Sequence, residues 1–454
     1  MHDIVETQRK FFQTHVTRDV EFRIRALRKL QKTIREWEPR IAEALHADLG
    51  KSAAESYMCE IGLVLGSLRD TLKHIRKWSK PRRVMASLAH FPSSCRVEAD
   101  PYGVVLIMSP WNYPVLLFLD PLIAALSAGN CCVVKPSSST PHTSSVLAEM
   151  LGSIFPPEYV KVVLGSHADC NALLEEKLDY IFFTGSPAVG HHVMEAAARQ
   201  LTPVTLELGG KSPCIVDASA NVKVAARRIA FGKILNAGQT CVAPDYLLIH
   251  SSRRQEFMTE FREAVTEMLG DQPVQNTNLT HIINARHFHR LMGLMTDARI
   301  VVGGRGDEES LRIEPTLLDD VTLDSACMQE EIFGPILPML TWEKWEDVEG
   351  FVLSRPRPLA SYLFTTDKGM ERCFRHHLAF GGGCVNDTII HLAVHDMPFG
   401  GVGSSGMGSY HGKTGFDTFT HYKSILKKGN WLDLPFRYQP YNKIKNALLR
   451  LFLR

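Results

Sequence analysis

The sequence predicts an α/β protein made of two doubly wound domains. Three observations predict it. Val104-Val105-Leu106-Ile107-Met108 is a continuous apolar run, as expected of a parallel strand buried on both faces. Strand-like and helix-like segments then alternate for about 100 residues, and a second alternation begins after Glu207. At 454 residues the chain is also too long for one core.

The elements follow in order. Over 18–48, Phe22, Ile24, Leu27, Leu30, Ile34, Trp37, Ile41 and Leu45 recur at helical spacing between charged residues. A second helix is expected over 52–78; Pro81-Arg82-Arg83 ends it, and an extended piece follows near 95–99. The first α/β unit then has strands near 104–108, 131–135, 160–164, 179–183 and 202–206, with helices near 115–128, 141–153, 169–176 and 187–199. The second has strands near 213–217, 245–250, 298–302, 313–318, 336–340, 360–365 and 382–386, with helices near 221–235, 252–268, 280–296 and 367–378. Right-handed crossovers put helices on both faces of each sheet.

Composition narrows the function. Hydrophobic residues make up 45% and charged residues 22%, ordinary values for a globular protein. A net charge of +2 gives no reason to expect nucleic-acid binding. The ten cysteines contain no CxxC pair, so neither a zinc framework nor a disulfide scaffold is expected. A reducing, cytoplasmic setting fits them better. The N-terminus lacks a signal-peptide core, and no apolar run is long enough for a membrane span. The basic, apolar tail at 444–454 has a surface-binding reading, but docking on a subunit or disorder is favoured over membrane contact.

Two strings carry chemistry. Asn236-Ala237-Gly238-Gln239-Thr240-Cys241 sets a thiol among poor core formers, and a helix followed by a loop before it is expected to lower the thiol pKa if backbone amides point inward. Leu206-Glu207-Leu208-Gly209-Gly210-Lys211-Ser212-Pro213 sets a carboxylate between apolar neighbours, where burial raises its pKa toward that of a useful base. The paired glycines let backbone approach a ligand. Glu207 and Cys241 lie 34 residues apart and meet only through the fold, in the cleft between the domains.

Other positions support them. Asn112, in Pro110-Trp111-Asn112-Tyr113-Pro114, follows the first parallel strand, where ligands bind in open α/β sheets and where an amide can donate to an oxyanion. Thr184-Gly185-Ser186-Pro187-Ala188-Val189-Gly190 links a strand to a helix whose N-terminus can meet a pyrophosphate. The GxGxxG at Gly401–Gly406 has no βαβ context and is a decoy. His391 and His395, like His287 and His289, lack a third ligand, and no metal is expected.

The two strings together, with Glu330-Glu331-Ile332-Phe333-Gly334-Pro335, resemble the aldehyde dehydrogenase superfamily. Cys241-Val242-Ala243-Pro244-Asp245-Tyr246 and Gly406-Met407-Gly408-Ser409-Tyr410-His411-Gly412-Lys413 resemble its class 3 branch of fatty and aromatic aldehyde dehydrogenases. The likeness runs from about residue 20 to 427. It implies that Cys241 attacks the aldehyde, Asn112 and the Cys241 amide hold the oxyanion, and Glu207 activates water. It assigns Trp111, Lys135, Ser138, Thr184, Gly185, Ser186, Gly190, Glu207, Leu208, Gly209, Glu331 and Phe333 to the NAD or NADP site, with Lys135 on the adenosine ribose and Glu331 on the nicotinamide ribose. NAD-specific members commonly carry Glu where this chain has Ser138, so NADP is expected to be accepted.

The implied organisation is an NAD(P)-binding domain at 1–80 and 101–208 and a catalytic domain at 209–396. The resemblance adds a small bridging and oligomerisation β element at 81–100 and 416–428, with a tail at 429–454. The branch implies a homodimer acting on medium- or long-chain aliphatic or aromatic aldehydes. A thioesterase or acyl transferase using Cys241, or a non-catalytic protein keeping the fold, are the alternatives.

Overall fold

The computed structural model describes residues 1–453. Its six-stranded sheet runs in the order Gly406–Met407, Val204–Leu208, Tyr180–Gly185, Val104–Met108, Cys131–Lys135, Val160–Val162. Only Gly406–Met407 is antiparallel to its neighbour. All five residues of Val104–Met108 and of Cys131–Lys135 are buried. This is why these strands read as unbroken apolar runs rather than alternating ones.

The seven-stranded sheet runs Arg299–Val302, Thr316–Asp319, Ile336–Trp342, Tyr246–His250, Pro213–Val216, Ala360–Phe364, Gly382–Val385, parallel except at the Arg299–Val302 edge. A third, antiparallel sheet joins Arg82–Val84, Ser93–Pro101 and Thr420–Lys428. The architecture is thus two doubly wound units and a small bridging sheet.

The long helix Val20–Leu49 starts on Asp19, whose side chain accepts from the Glu21 and Phe22 amides, and ends at Gly50 with φ 69°. It buries Ile24, Leu27, Leu30, Ile34, Ile41 and Leu45, the stripe its sequence spacing sets out.

Several elements differ from the sequence expectation, among them the helix Trp345–Leu353, which lies outside every expected helix, and a π-helical turn at Tyr57–Ile61 that interrupts the helix expected at 52–78. His2–Gln13 is a helix that buries Val5 and Gln8, with Ile4, Val5, Phe11 and Phe12 gathered on one face. Gln8 docks it by donating to the Cys132 carbonyl at 2.8 Å. The strand expected at 202–206 lies at Val204–Leu208, which puts Glu207 inside the sheet. The helix expected at 280–296 is only Ala285–Gly293, capped by Asn284. Residues 280–283 bond elsewhere, as described below.

The tail holds the helix Lys443–Phe452, with Phe452 stacked on Phe436 at 5.3 Å. Among the described residues no helix is long and apolar enough to cross a membrane.

Candidate active site

The thiol loop begins where the helix Val222–Ile234 ends. Asn236, Ala237 and Gly238 follow at φ 51°, 50° and 69°. Two consecutive non-glycine residues in the left-handed region cost energy and persist only when their surroundings fix them. Here they do. The Asn236 amide donates to Glu55 Oε1 at 2.8 Å, and Asn236 Nδ2 donates to the carbonyls of Asn112 and Gln239 at 2.8 and 2.9 Å. Gln239 Nε2 donates to the His281 carbonyl at 3.0 Å, and its Oε1 accepts from the Ile283 amide at 3.0 Å. Thr280 donates to Glu55. Residues 280–283 therefore buttress the thiol loop instead of extending a helix. Gly238 packs so closely on the Gly334 carbonyl that a Cβ has no room.

Cys241 is partly exposed and opens onto a cavity of about 220 Å³. Leu63, Leu116, Phe231, Leu235, Val242, Ile389, Leu392 and Phe399 are among the side chains that line it. Burial, then the charges of Glu331 and Glu207, push the thiol up to about 12. This corrects the expectation of a lowered pKa. The Cys241 and Val242 amides do act to lower it, but desolvation in an apolar cavity outweighs them.

Glu207 sits in its strand, in register with Thr184 on one side and Gly406 on the other. It is 3% exposed, and neither carboxylate oxygen has a hydrogen-bond partner. Burial holds its pKa well above the ordinary carboxylate range. Asn112 is buried too, and its Nδ2 donates to the Gln239 carbonyl at 3.0 Å, two residues before the thiol. Tyr113 and Thr240 join their hydroxyls at 2.7 Å across the same seam.

The residues expected around a dinucleotide fall into two groups. At the strand-to-helix turn, Thr184 keeps a buried hydroxyl without a partner. Ser186 heads the helix Pro187–Ala198 without a side-chain cap bond, so the helix start is free to take an anion. Gly190 lets that helix pack on the Leu208 side chain, where a Cβ would come to 2.6 Å. Lys135 is buried, with Nζ donating to the carbonyls of Pro136 and Gly165 at 2.9 Å each. It adjoins a cavity of about 420 Å³ lined by Ser137, exposed Ser138, Ser144, Gly165, Ser166 and His167, and no carboxylate is among the lining side chains.

At the second group, the Glu331 carboxylate lies where a Cβ on Gly209 would be. Burial and then Asp245 raise its pKa to about 8. Trp111 meets Phe333 edge-on at 5.4 Å. Lys211 pairs with Asp245 and donates to the carbonyls of Cys327 and Glu330 at 2.8 Å each, while Asp245 accepts the Ile332 amide at 2.9 Å. Those bonds clamp the loop that carries Glu331 and Phe333. A free helix start, an orphaned hydroxyl and glycines at the close approaches fit a dinucleotide.

Sequence reasoning did not find Lys51, Glu55 or Glu60, all of which brace this site. Lys51 in Gly50-Lys51-Ser52 reads as a solvated turn, and no sequence signal marks it otherwise.

Glu207 is near enough to Cys241 for its charge to raise the thiol pKa, and residues of both doubly wound units wall the cavity onto which the thiol opens. The family model described as "Aldehyde dehydrogenase family" matches residues 1–425. The chain is 47% identical over 446 residues to a Staphylococcus aureus 4,4'-diaponeurosporen-aldehyde dehydrogenase, covering 98% of this chain and 97% of that one. It is 44% identical over 453 residues to Arabidopsis thaliana aldehyde dehydrogenase family 3 member H1, covering 99% and 94%. A solved substrate-bound state of Staphylococcus aureus AldH matches with a TM-score of 0.98 and 45% identity, covering 100% and 99%. A Staphylococcus aureus betaine aldehyde dehydrogenase point mutant in complex with NAD+ matches with a TM-score of 0.86 and 26% identity, covering 96% of this chain and 89% of that one.

The chain belongs to the aldehyde dehydrogenase family. Its relatives include family 3 members, the class 3 branch, and it is an aldehyde-oxidising oxidoreductase of the NAD(P)-binding kind.

Proposed function

We propose that the enzyme oxidises medium- or long-chain aliphatic or aromatic aldehydes to carboxylic acids through a thioester on Cys241. The observation that carries this reading is a thiol on an almost wholly apolar cavity beside a buried, unpartnered carboxylate. Cys241, once it has lost its proton, attacks the carbonyl carbon. The oxyanion formed there accepts from Asn112 Nδ2 and the Cys241 amide, and losing one such donor costs about 10²–10³ in rate. When bound, the oxidised dinucleotide supplies the hydride acceptor. Glu207 then takes a proton from water, which adds to the thioester carbonyl; the C–S bond breaks and releases the acid. A carboxylate with a raised pKa and no competing partner suits that task.

Thr184, Gly185, Ser186 and Gly190 would hold the pyrophosphate, and Lys135 with Ser138 the adenosine ribose. Trp111, Leu208, Gly209, Glu331 and Phe333 would hold the nicotinamide side. A cavity wall without a carboxylate at Ser138 leaves room for a 2′-phosphate, so NADP+ is accepted. The free edge of Thr420–Lys428 exposes Tyr422, Ile425 and Leu426 and supports a homodimer, which a light-scattering mass of twice 50.9 kDa would test.

The test of the chemistry is absorbance at 340 nm with a medium-chain aldehyde and NAD+ or NADP+, beside Cys241→Ala. Signal that vanishes in the variant supports the mechanism. Thioester hydrolysis without cofactor reduction would favour a thioesterase instead.

A further inference from the structure

A lysine and a glutamate outside the reacting groups form a fully buried ion pair beneath the Asn112 loop. Lys51 and Glu60 are each 0% exposed and 2.5 Å apart. An ion pair that deep costs more in desolvation than a packed apolar pair, so its presence calls for a role other than stability.

Its remaining bonds all go to one segment. Lys51 Nζ donates to the Asn112 carbonyl at 3.0 Å and lies 4.2 Å from the centre of the Tyr113 ring. Glu60 Oε2 accepts from the Val115 and Leu116 amides at 2.7 and 3.2 Å. The pair thus grips residues 112–116 at both ends.

A local irregularity makes this grip compatible with the substrate wall. Residues Tyr57–Ile61 form a π-helical turn between the helices Ala53–Ser56 and Gly62–Trp78. Its wider winding lets Met58 and Cys59 line the apolar cavity while the next residue, Glu60, reaches the Asn112 loop. Such turns are rare and concentrate at functional sites.

We infer that Lys51 and Glu60 are positioning residues that aim the Asn112 amide at the oxyanion. The inference rests on the oxyanion reading of Asn112 given above. The pair touches neither substrate nor thiol; it fixes the backbone from which the donor projects. A displacement of about 1 Å at such a donor costs about 10²-fold in rate.

The test compares wild type, Lys51→Met/Glu60→Gln, Asn112→Ala and the triple variant. Three quantities are read: kcat/KM for aldehyde oxidation, the rate of Cys241 alkylation by iodoacetamide, and Tm. Alkylation builds no oxyanion, so it reports thiol integrity alone. The paired variant is expected to lose about 10²-fold in kcat/KM while alkylation stays within about twofold. In the Asn112→Ala background the same change should cost less than about threefold, because the donor it aims is gone.

A full loss persisting in that background, a parallel fall in alkylation, or an unchanged kcat/KM would overturn the inference. If Asn112→Ala alone keeps the wild-type rate, the oxyanion reading itself falls, and the inference with it. Should the paired variant not fold, Glu60→Gln alone keeps an acceptor for the two amides and is expected to lose about tenfold with the same insensitivity of alkylation.

Discussion

Asn112 Nδ2 donates to the Gln239 carbonyl across 3.0 Å, tying the loop after the first domain's central strand to the thiol loop of the second. The two halves of the site are therefore registered by a hydrogen bond and not by packing alone.

Gly238→Ala tests how tightly that loop is set. Gly238 has φ 69° and abuts the Gly334 carbonyl. A methyl group there adds about 1–2 kcal/mol of backbone strain and a clash. The expected result is a lower Tm by calorimetry and a loss of more than about tenfold in aldehyde turnover.

Glu207→Gln should separate the two halves of the reaction. Rapid-mixing absorbance should still show a burst of reduced cofactor, followed by a steady rate lower by about 10²–10⁴. A lost burst would mean that Glu207 acts before hydride transfer.

The same substitution has a stability consequence. The folded-state pKa of Glu207 lies above its unfolded value. Stability is then fully present below the unfolded pKa and is lost as pH rises toward the folded one. Glu207→Gln escapes that loss, so its Tm should exceed that of wild type by an amount that grows as pH rises from about 5 to about 9. A Tm difference that shrinks with pH would contradict the sign.

Activity should run in the opposite direction to stability. In the proposed mechanism Cys241 and Glu207 both act without their protons, and both pKa values are raised, the thiol to about 12. kcat/KM for aldehyde should climb with pH between about 6 and 9. A maximum below pH 6 would mean that the thiol ionises more readily than its surroundings dictate.

Chain length should matter through the cavity. Each buried methylene gives about 0.8 kcal/mol, so kcat/KM should rise about fourfold per carbon in a straight-chain series until the space is filled. For the cofactor, Ser138→Glu should raise the KM for NADP+ about tenfold, equivalent to about 1.4 kcal/mol, and leave that for NAD+ nearly unchanged.

Much of this was legible in the sequence. Strands such as Val104–Met108 are buried on both faces, and such strands announce themselves as apolar runs. Glu207 and Cys241 stand in strings whose composition is wrong for ordinary core. What was not legible depends on partners distant in sequence. Lys51 and Glu60 look like surface charges until Asn112 and Val115 are seen above them. Residues 280–283 fall in the span expected as a helix, but Thr280, Ile282 and Ile283 are β-branched, and this stretch bonds instead to Gln239 and Glu55. The thiol pKa turned on how much solvent the cavity excludes, which neighbours in sequence do not report.

The strand Thr420–Lys428 pairs with Ser93–Pro101, more than 300 residues earlier. At about 5–20 residues per second, a ribosome takes roughly 15–65 s to bridge that interval. For all that time Ser93–Pro101 lacks its later partner and exposes a raw sheet edge to neighbouring nascent chains. Arg96, Glu98 and Asp100 punctuate this edge with charge, a composition that discourages promiscuous pairing. Neutralising those three should leave the mature enzyme's chemistry alone and show itself instead as lower soluble yield during rapid expression.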